Sequence, residues 1–156
     1  MPDMLVNLLK LSPLEPLLRE MKENEIVVRR ALPFEITKLR SYVESNFSTG
    51  WADEIMVGFA NKPVSVFIAV AQKEIIGFAA YECTRKSFFG PMGVSETVRK
   101  LGIGKALLVA CLHGLRELDY AYAIIGGVGP AEFYRRAVGA FPIPDSEPGI
   151  YSDLLN

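Results

Sequence analysis

Histidine and tryptophan occur once each, and cysteine only twice, in a chain of 156 residues. With His113, Cys83 and Cys111 as the whole supply, no metal-ligand spacing for a structural zinc site is present. Both cysteines sit inside apolar segments and read as buried, reduced thiols, which suits a cytosolic compartment. Neither sign of charge is in excess. The 17 Lys and Arg against 18 Asp and Glu give a formal net charge of −1, so there is no basic footprint for nucleic acid. No apolar run approaches the ~20 residues that span a bilayer, and no membrane partner is expected. The N-terminus lacks a basic region ahead of an apolar core, and Pro2, Asp3 and Asn7 break a signal-peptide pattern. The expectation is a cytoplasmic protein. Internal repeats and low-complexity segments are also missing, and the length suits a single core.

What is present is organised around residues 94–108, V-S-E-T-V-R-K-L-G-I-G-K-A-L-L. An apolar run at 88–94 enters a polar turn, then come Arg99, Gly102 and Gly104, and at once a helix-forming stretch over 105–118. Glycines at a strand-to-helix junction let the backbone approach a bound group closely. The first helical turn has amides without partners in the helix and lies at the positive end of its dipole, so the junction suits an anion, phosphate above all. The dinucleotide fingerprint G-x-G-x-x-G fails at Leu107. A P-loop fails at Arg99 and Ala106, which argues against a nucleotide binder. R-x-x-G-x-G remains, spelled Arg99-Lys100-Leu101-Gly102-Ile103-Gly104.

This pattern resembles the pyrophosphate-binding loop of the GNAT superfamily of acyl-CoA-dependent N-acyltransferases. Val94 falls where the family's V-x-P-x-x-R lead-in closes its fourth strand, with Glu96 in place of the proline. The run A-E-F-Y-R-R-A-V-G-A at 131–140 is similar to the family's F-Y-x-x-x-G-F helix, and the order of elements fits from Ile26 onward. The resemblance implies an α/β (α+β) fold. Its mixed central sheet has six to seven strands, splayed between the fourth and fifth, with about four flanking helices.

Residues 1–24 read as an extra N-terminal helical extension before a GNAT acetyltransferase domain over 25–156. Ser12 is placed as an N-cap, Pro13 as the first helical residue and Glu15 as partner in a capping box. Leu14, Leu17, Leu18 and Met21 share a face that covers either the domain itself or a second subunit in a homodimer. Strands are expected over 25–31, 64–71, 75–84, 88–94 and 120–125, and helices over 34–45, 51–60, 102–118 and 131–140. Leu32, Ile36, Leu39 and Val43 form the first of these helices' inner face. Two short strands fit the Pro-rich stretch after Gly139. Gly90-Pro91 implies a bulge within the fourth strand. Trp51 reads as a core residue or as a wall of the acceptor site, and His113 as a solvated surface residue.

The resemblance also assigns chemistry. Residues 99–105 would hold the pyrophosphate of acetyl-CoA, with Arg99, Lys100 and Lys105 adding charge to the backbone of Leu101, Gly102, Ile103 and Gly104. Met92, Gly93 and Val94 would flank the pantetheine arm, with Phe133 beside the cofactor and the N–H near Met92 facing the thioester oxygen. Tyr134 would be the acid that protonates the departing thiolate. Two departures stand out: Gly139 lies five residues after Tyr134 instead of four, and Gly127 replaces an asparagine that orders the cofactor. No general base is evident. Glu82, Asp53, Glu54 and Asp145 qualify by elimination, while an amine of lowered pKa or a water relay needs none. The function implied is acetyl transfer from acetyl-CoA to a primary amine of a small molecule in a ternary complex, without metal. A non-catalytic acetyl-CoA sensor is the alternative.

Overall fold

The hairpin of β3 (Val66–Ala71) and β4 (Glu74–Tyr81) lies at the heart of the sheet in the computed structural model, which describes residues 1–156 except the Lys100 side chain. Gln72 and Lys73 join these strands at φ +49° and +64°, the left-handed pair that matches strand twist in a two-residue turn. Outside β3 runs β2 (Val27–Arg30). On the other side come β5 (Phe88–Val94), β6 (Tyr122–Ile125), β1 (Met4–Asn7) and β7 (Phe141–Pro142), giving the order β2-β3-β4-β5-β6-β1-β7. Every neighbouring pair is antiparallel except β5 and β6.

Two helical layers cover the sheet. Helices α2 (Ile36–Asn46) and α3 (Thr49–Ala60) bury Leu39, Val43, Ile55 and Phe59 against Val66, Ile68 and Phe78. Ser48 caps α3 by accepting from Trp51 N–H at 3.1 Å. On the opposite face α4 (Ile103–Glu117) buries Leu107, Leu108, Cys111, Leu112 and Leu115, the leucines worth ~1.5–3 kcal/mol each. Gly114 leaves room for the Tyr81 ring against this helix. Helices α1 (Glu15–Glu23) and α5 (Ala131–Val138) join the same layer. No helix is long and apolar enough to cross a membrane.

Several expectations change. The N-terminal segment is not a helical extension alone. Met4 and Val6 point inward from β1, which pairs with β6 from Met4 opposite Ile125 to Asn7 opposite Tyr122. A four-residue alternation is too short to declare itself locally, and its partner is remote in sequence. Because β1 takes the place beside β6, only the two-residue β7 forms after Gly139, where two strands were expected. Helix α1 starts at Glu15, without a side-chain cap. The Ser12 carbonyl is instead bonded to His113 Nε2 at 2.8 Å, so this histidine fastens the segment to α4. The leucine face of α1 lies on the chain's own core, with Met21 buried and Leu14, Leu17 and Leu18 packed against it. That covers the face on which a second subunit was an alternative. Leu32 is exposed, as residues 33–35 form a 3-10 turn ahead of α2.

Candidate active site

Strands β5 and β6 pair only at Phe88 with Ile124 and Phe89 with Ile125, and then part. Each is drawn away by a different partner. Gly90, at φ +123°, bends β5 across a register shift, after which Met92, Gly93 and Val94 pair with Ala79, Phe78 and Gly77 of β4. The continuation of β6 is pulled the other way, since Gly127 N–H donates to Asp3 Oδ1 at 2.8 Å and Val128 N–H to Pro2 O at 3.0 Å. Between them opens a cavity of about 620 Å³.

One edge of β5 faces this opening. Ser95 N–H donates to Ile76 O at 2.9 Å, continuing the register in which Gly93 faces Phe78. Residues in an antiparallel ladder alternate the edge to which they turn their polar groups. Met92 and Val94 therefore turn N–H and C=O away from β4, toward the cleft. On the far face, the Phe47 ring sits where a Gly93 side chain would be.

The strand leads directly to the glycine junction. A 3-10 turn over Glu96–Leu101 ends at Gly102, whose φ of +80° is left-handed, and α4 begins at Ile103. Ala106 N–H donates to Gly102 O at 3.2 Å, so residues 103–105 make up the first turn, with their amides at the helix N-terminus. Ile103 is buried and pins the turn, whereas Arg99, Leu101 and Lys105 are exposed. Arg99 Nε donates to Val94 O at 3.3 Å. The Lys100 side chain, expected at this loop, lies outside the described residues. Phe133 of α5 closes the other side: a Cβ at Gly104 would stand 3.5 Å from its ring.

A family model described as an acetyltransferase (GNAT) domain matches residues 62–137. Residues 62–137 belong to the GNAT superfamily. Among solved structures, the GCN5-related glucosamine N-acetyltransferase region of a fungal multi-domain β-N-acetylglucosaminidase superposes with a TM-score of 0.73 at 14% identity. That match covers 91% of this chain and 19% of the other. A GCN5-related N-acetyltransferase from Sphaerobacter thermophilus gives 0.67 at 20% identity, over 91% and 48%. A GNAT acetyltransferase from Brucella melitensis, solved in complex with acetyl-CoA, gives 0.56 at 20% identity, over 71% and 80%. This chain thus spans about a fifth and about half of the first two proteins. No curated protein matches it.

The GNAT helix α5 carries Tyr134 into the cavity wall. Its ring packs edge-on against Phe133 at 5.1 Å and Phe89 at 6.2 Å, leaving the residue 7% exposed. The longer interval to Gly139 is absorbed after the tyrosine: α5 runs regularly to Val138 and ends at Gly139 with φ +69°. Among the described residues no side-chain oxygen that is fully buried lacks a partner. The Tyr134 hydroxyl makes no hydrogen bond to them, so it meets the open cavity. Burial pushes this phenol up to about 12.

Of the four carboxylates named by elimination, one lines the cavity. Glu54 does so from α3, with Oε1 accepting from Thr84 Oγ1. Asp53 is paired with Arg40 at 2.7 Å on the surface. Glu82 accepts from Ser87 N–H and from Tyr120 Oη at 3.1 Å, and Asp145 is exposed. Trp51, expected in the core or in an acceptor wall, packs 5.6 Å from the Phe47 ring and lines the cavity at 37% exposure.

Sequence reasoning missed two contributors. Tyr151 lies over the Gly126–Gly127 turn, where a Cβ on either glycine would stand 3.1–3.2 Å from it. Its phenol is pushed up by burial first, then by the charges of Glu54 and Asp3. Asp3 is the other. Besides holding Gly127, it accepts at its carbonyl from Ile143 N–H at 2.8 Å, and its own N–H donates to Ser146 Oγ at 2.9 Å. The turn that lacks the family's asparagine is thereby fixed from the N-terminus.

Proposed function

We propose that this chain binds acetyl-CoA in the cleft between β5 and β6 and transfers its acetyl group to a primary amine of a small molecule, by direct attack in a ternary complex. One observation carries the reading: the outward-turned backbone of Met92 and Val94 runs into the N-terminus of α4 and shares its cleft with the Tyr134 hydroxyl. Pyrophosphate lies against the backbone of residues 101–104, with Arg99 and Lys105 supplying charge. The pantetheine arm runs as a short strand along Met92, Gly93 and Val94, flanked by Phe133. Met92 N–H then meets the thioester oxygen, where one donor is worth ~3–4 kcal/mol.

The acceptor gives its ammonium proton to solvent, and the neutral amine then attacks the carbonyl carbon, forming the C–N bond. The C–S bond breaks with its electron pair on sulfur, which takes the Tyr134 proton. The nitrogen releases its surplus proton to solvent, and the tyrosinate is reprotonated from solvent. A phenol held up to about 12 stays protonated at neutral pH and is ready to donate.

The test is thermal unfolding with CoA, followed by thiol release from acetyl-CoA across a panel of amines. At CoA near 100 times its Kd the stabilisation should be ~2.7 kcal/mol, a rise in Tm of several degrees. No shift at millimolar CoA refutes the reading. A second reading is favoured by Gly127, which offers no side chain where the family has asparagine. Under that reading CoA binds and no amine releases thiol.

A further inference from the structure

We propose that Glu54 selects the acceptor, and that the acceptor is a monocationic amine on an aryl or alkyl body, free of carboxylate and phosphate. The assignment rests on the acyl-transfer reading of the cleft. Trp51 and Glu54 are three residues apart on α3, hence on one helix face, and both line the cavity. Thr84 Oγ1 occupies Glu54 Oε1. Glu54 Oε2 has no hydrogen-bond or ion-pair partner among the described residues. Glu147, the other carboxylate of the wall, is paired with the Met1 ammonium. No lysine or arginine side chain is among the described residues of the lining.

The remaining wall is largely apolar, with Trp51, Phe89, Pro91 and Leu154 around the opening. A carboxylate facing such a space without a counter-ion favours a ligand that brings the positive charge. The same field discriminates. An acceptor with its own carboxylate or phosphate meets Glu54 and no cation beyond the Met1 ammonium, which Glu147 already neutralises, an arrangement that excludes by repulsion. A polyamine places further ammonium groups against apolar walls that cannot solvate them. One charge on an apolar body satisfies every wall.

The test is calorimetric titration of the CoA-loaded protein with 2-phenylethylamine, L-phenylalanine and spermidine. The first two share a body and differ by one carboxylate. 2-Phenylethylamine should bind at least tenfold more tightly than either of the others. Glu54→Gln keeps the side-chain shape and an acceptor for Thr84. It should weaken 2-phenylethylamine about tenfold to a hundredfold, the range of a lost charge-assisted bond, and leave CoA affinity within twofold. Glu54→Asp, which keeps the charge, should recover part of the loss. CoA affinity of each variant doubles as the check that it is folded. Equal binding of L-phenylalanine, indifference to Glu54→Gln, or no binding by any of the three overturns this assignment while CoA still binds. Failure of the parent protein to bind CoA, measured before any amine is added, overturns the acyl-transfer reading and this assignment with it.

Discussion

Replacing Tyr134 by phenylalanine removes one oxygen and leaves the ring against Phe89 and Phe133. Because the hydroxyl has no partner among the described residues, stability at neutral pH should change by no more than about 0.5 kcal/mol. Alkaline solution separates the two proteins. The phenol titrates at about 12 when folded against an ordinary 10 when unfolded. Between those values the native state binds the extra proton, so stability falls as pH rises. The contribution is complete below pH 10 and lost as pH climbs through 12. By pH 11 it has fallen by about 1.4 kcal/mol, and in full by about 2.7, at 1.36 kcal/mol per unit. Urea unfolding of both proteins at pH 8 and pH 11 measures the difference, since every other tyrosine and cysteine titrates in both. Turnover with an accepted amine should drop ~10²-fold while CoA affinity holds, the mark of an interaction made in the transition state. Parallel alkaline losses would show that the hydroxyl ionises as if in water. Unchanged turnover would assign the proton to water.

Three further perturbations address the scaffold. Gly102→Val forces a β-branched residue to φ +80°, which should cost ~1–2 kcal/mol and weaken CoA at least tenfold. A folded variant with intact CoA affinity would assign the glycine to packing alone. Val6→Ala, at a position 0% exposed in β1, should cost roughly 2–3 kcal/mol. Deleting residues 1–10 should lower the urea midpoint while leaving a cooperative transition by circular dichroism, and a deletion that unfolds like the parent would mean that β1 is dispensable to the sheet.

The parts legible in sequence are those whose signals are local. The apolar stripe of α4, the β3–β4 hairpin, the glycine junction at 102–104 and the aromatic helix α5 each announce themselves within about fifteen residues. What was not legible depends on partners far along the chain. Nothing in M-L-V-N says that it pairs with Tyr122–Ile125. The Ser12 carbonyl is held by His113 on another element, and α1 begins only at Glu15, with Leu14 at its cap position. Glu54 could be told from Asp53 only by knowing which way α3 turns, since one faces the cavity and its neighbour faces Arg40. Tyr151 sits in a stretch of Pro148 and Gly149 with no periodicity to place it.

The position of β1 has a consequence for time as well as for space. Met4 pairs with Ile125 on one side and Pro142 on the other, so this strand waits for partners that lie far along the chain. Such distant pairing carries a loop-closure penalty that local contacts such as the β3–β4 hairpin avoid, and it forms late. Held by remote partners alone, it should open as one unit under native conditions. Asp3 goes with it, and with Asp3 the bond that holds Gly127. The far wall of the cleft therefore loosens before α4 or the hairpin does. Amide exchange at Gly127 and Val128 should track that of Met4–Asn7 instead of the global unfolding rate.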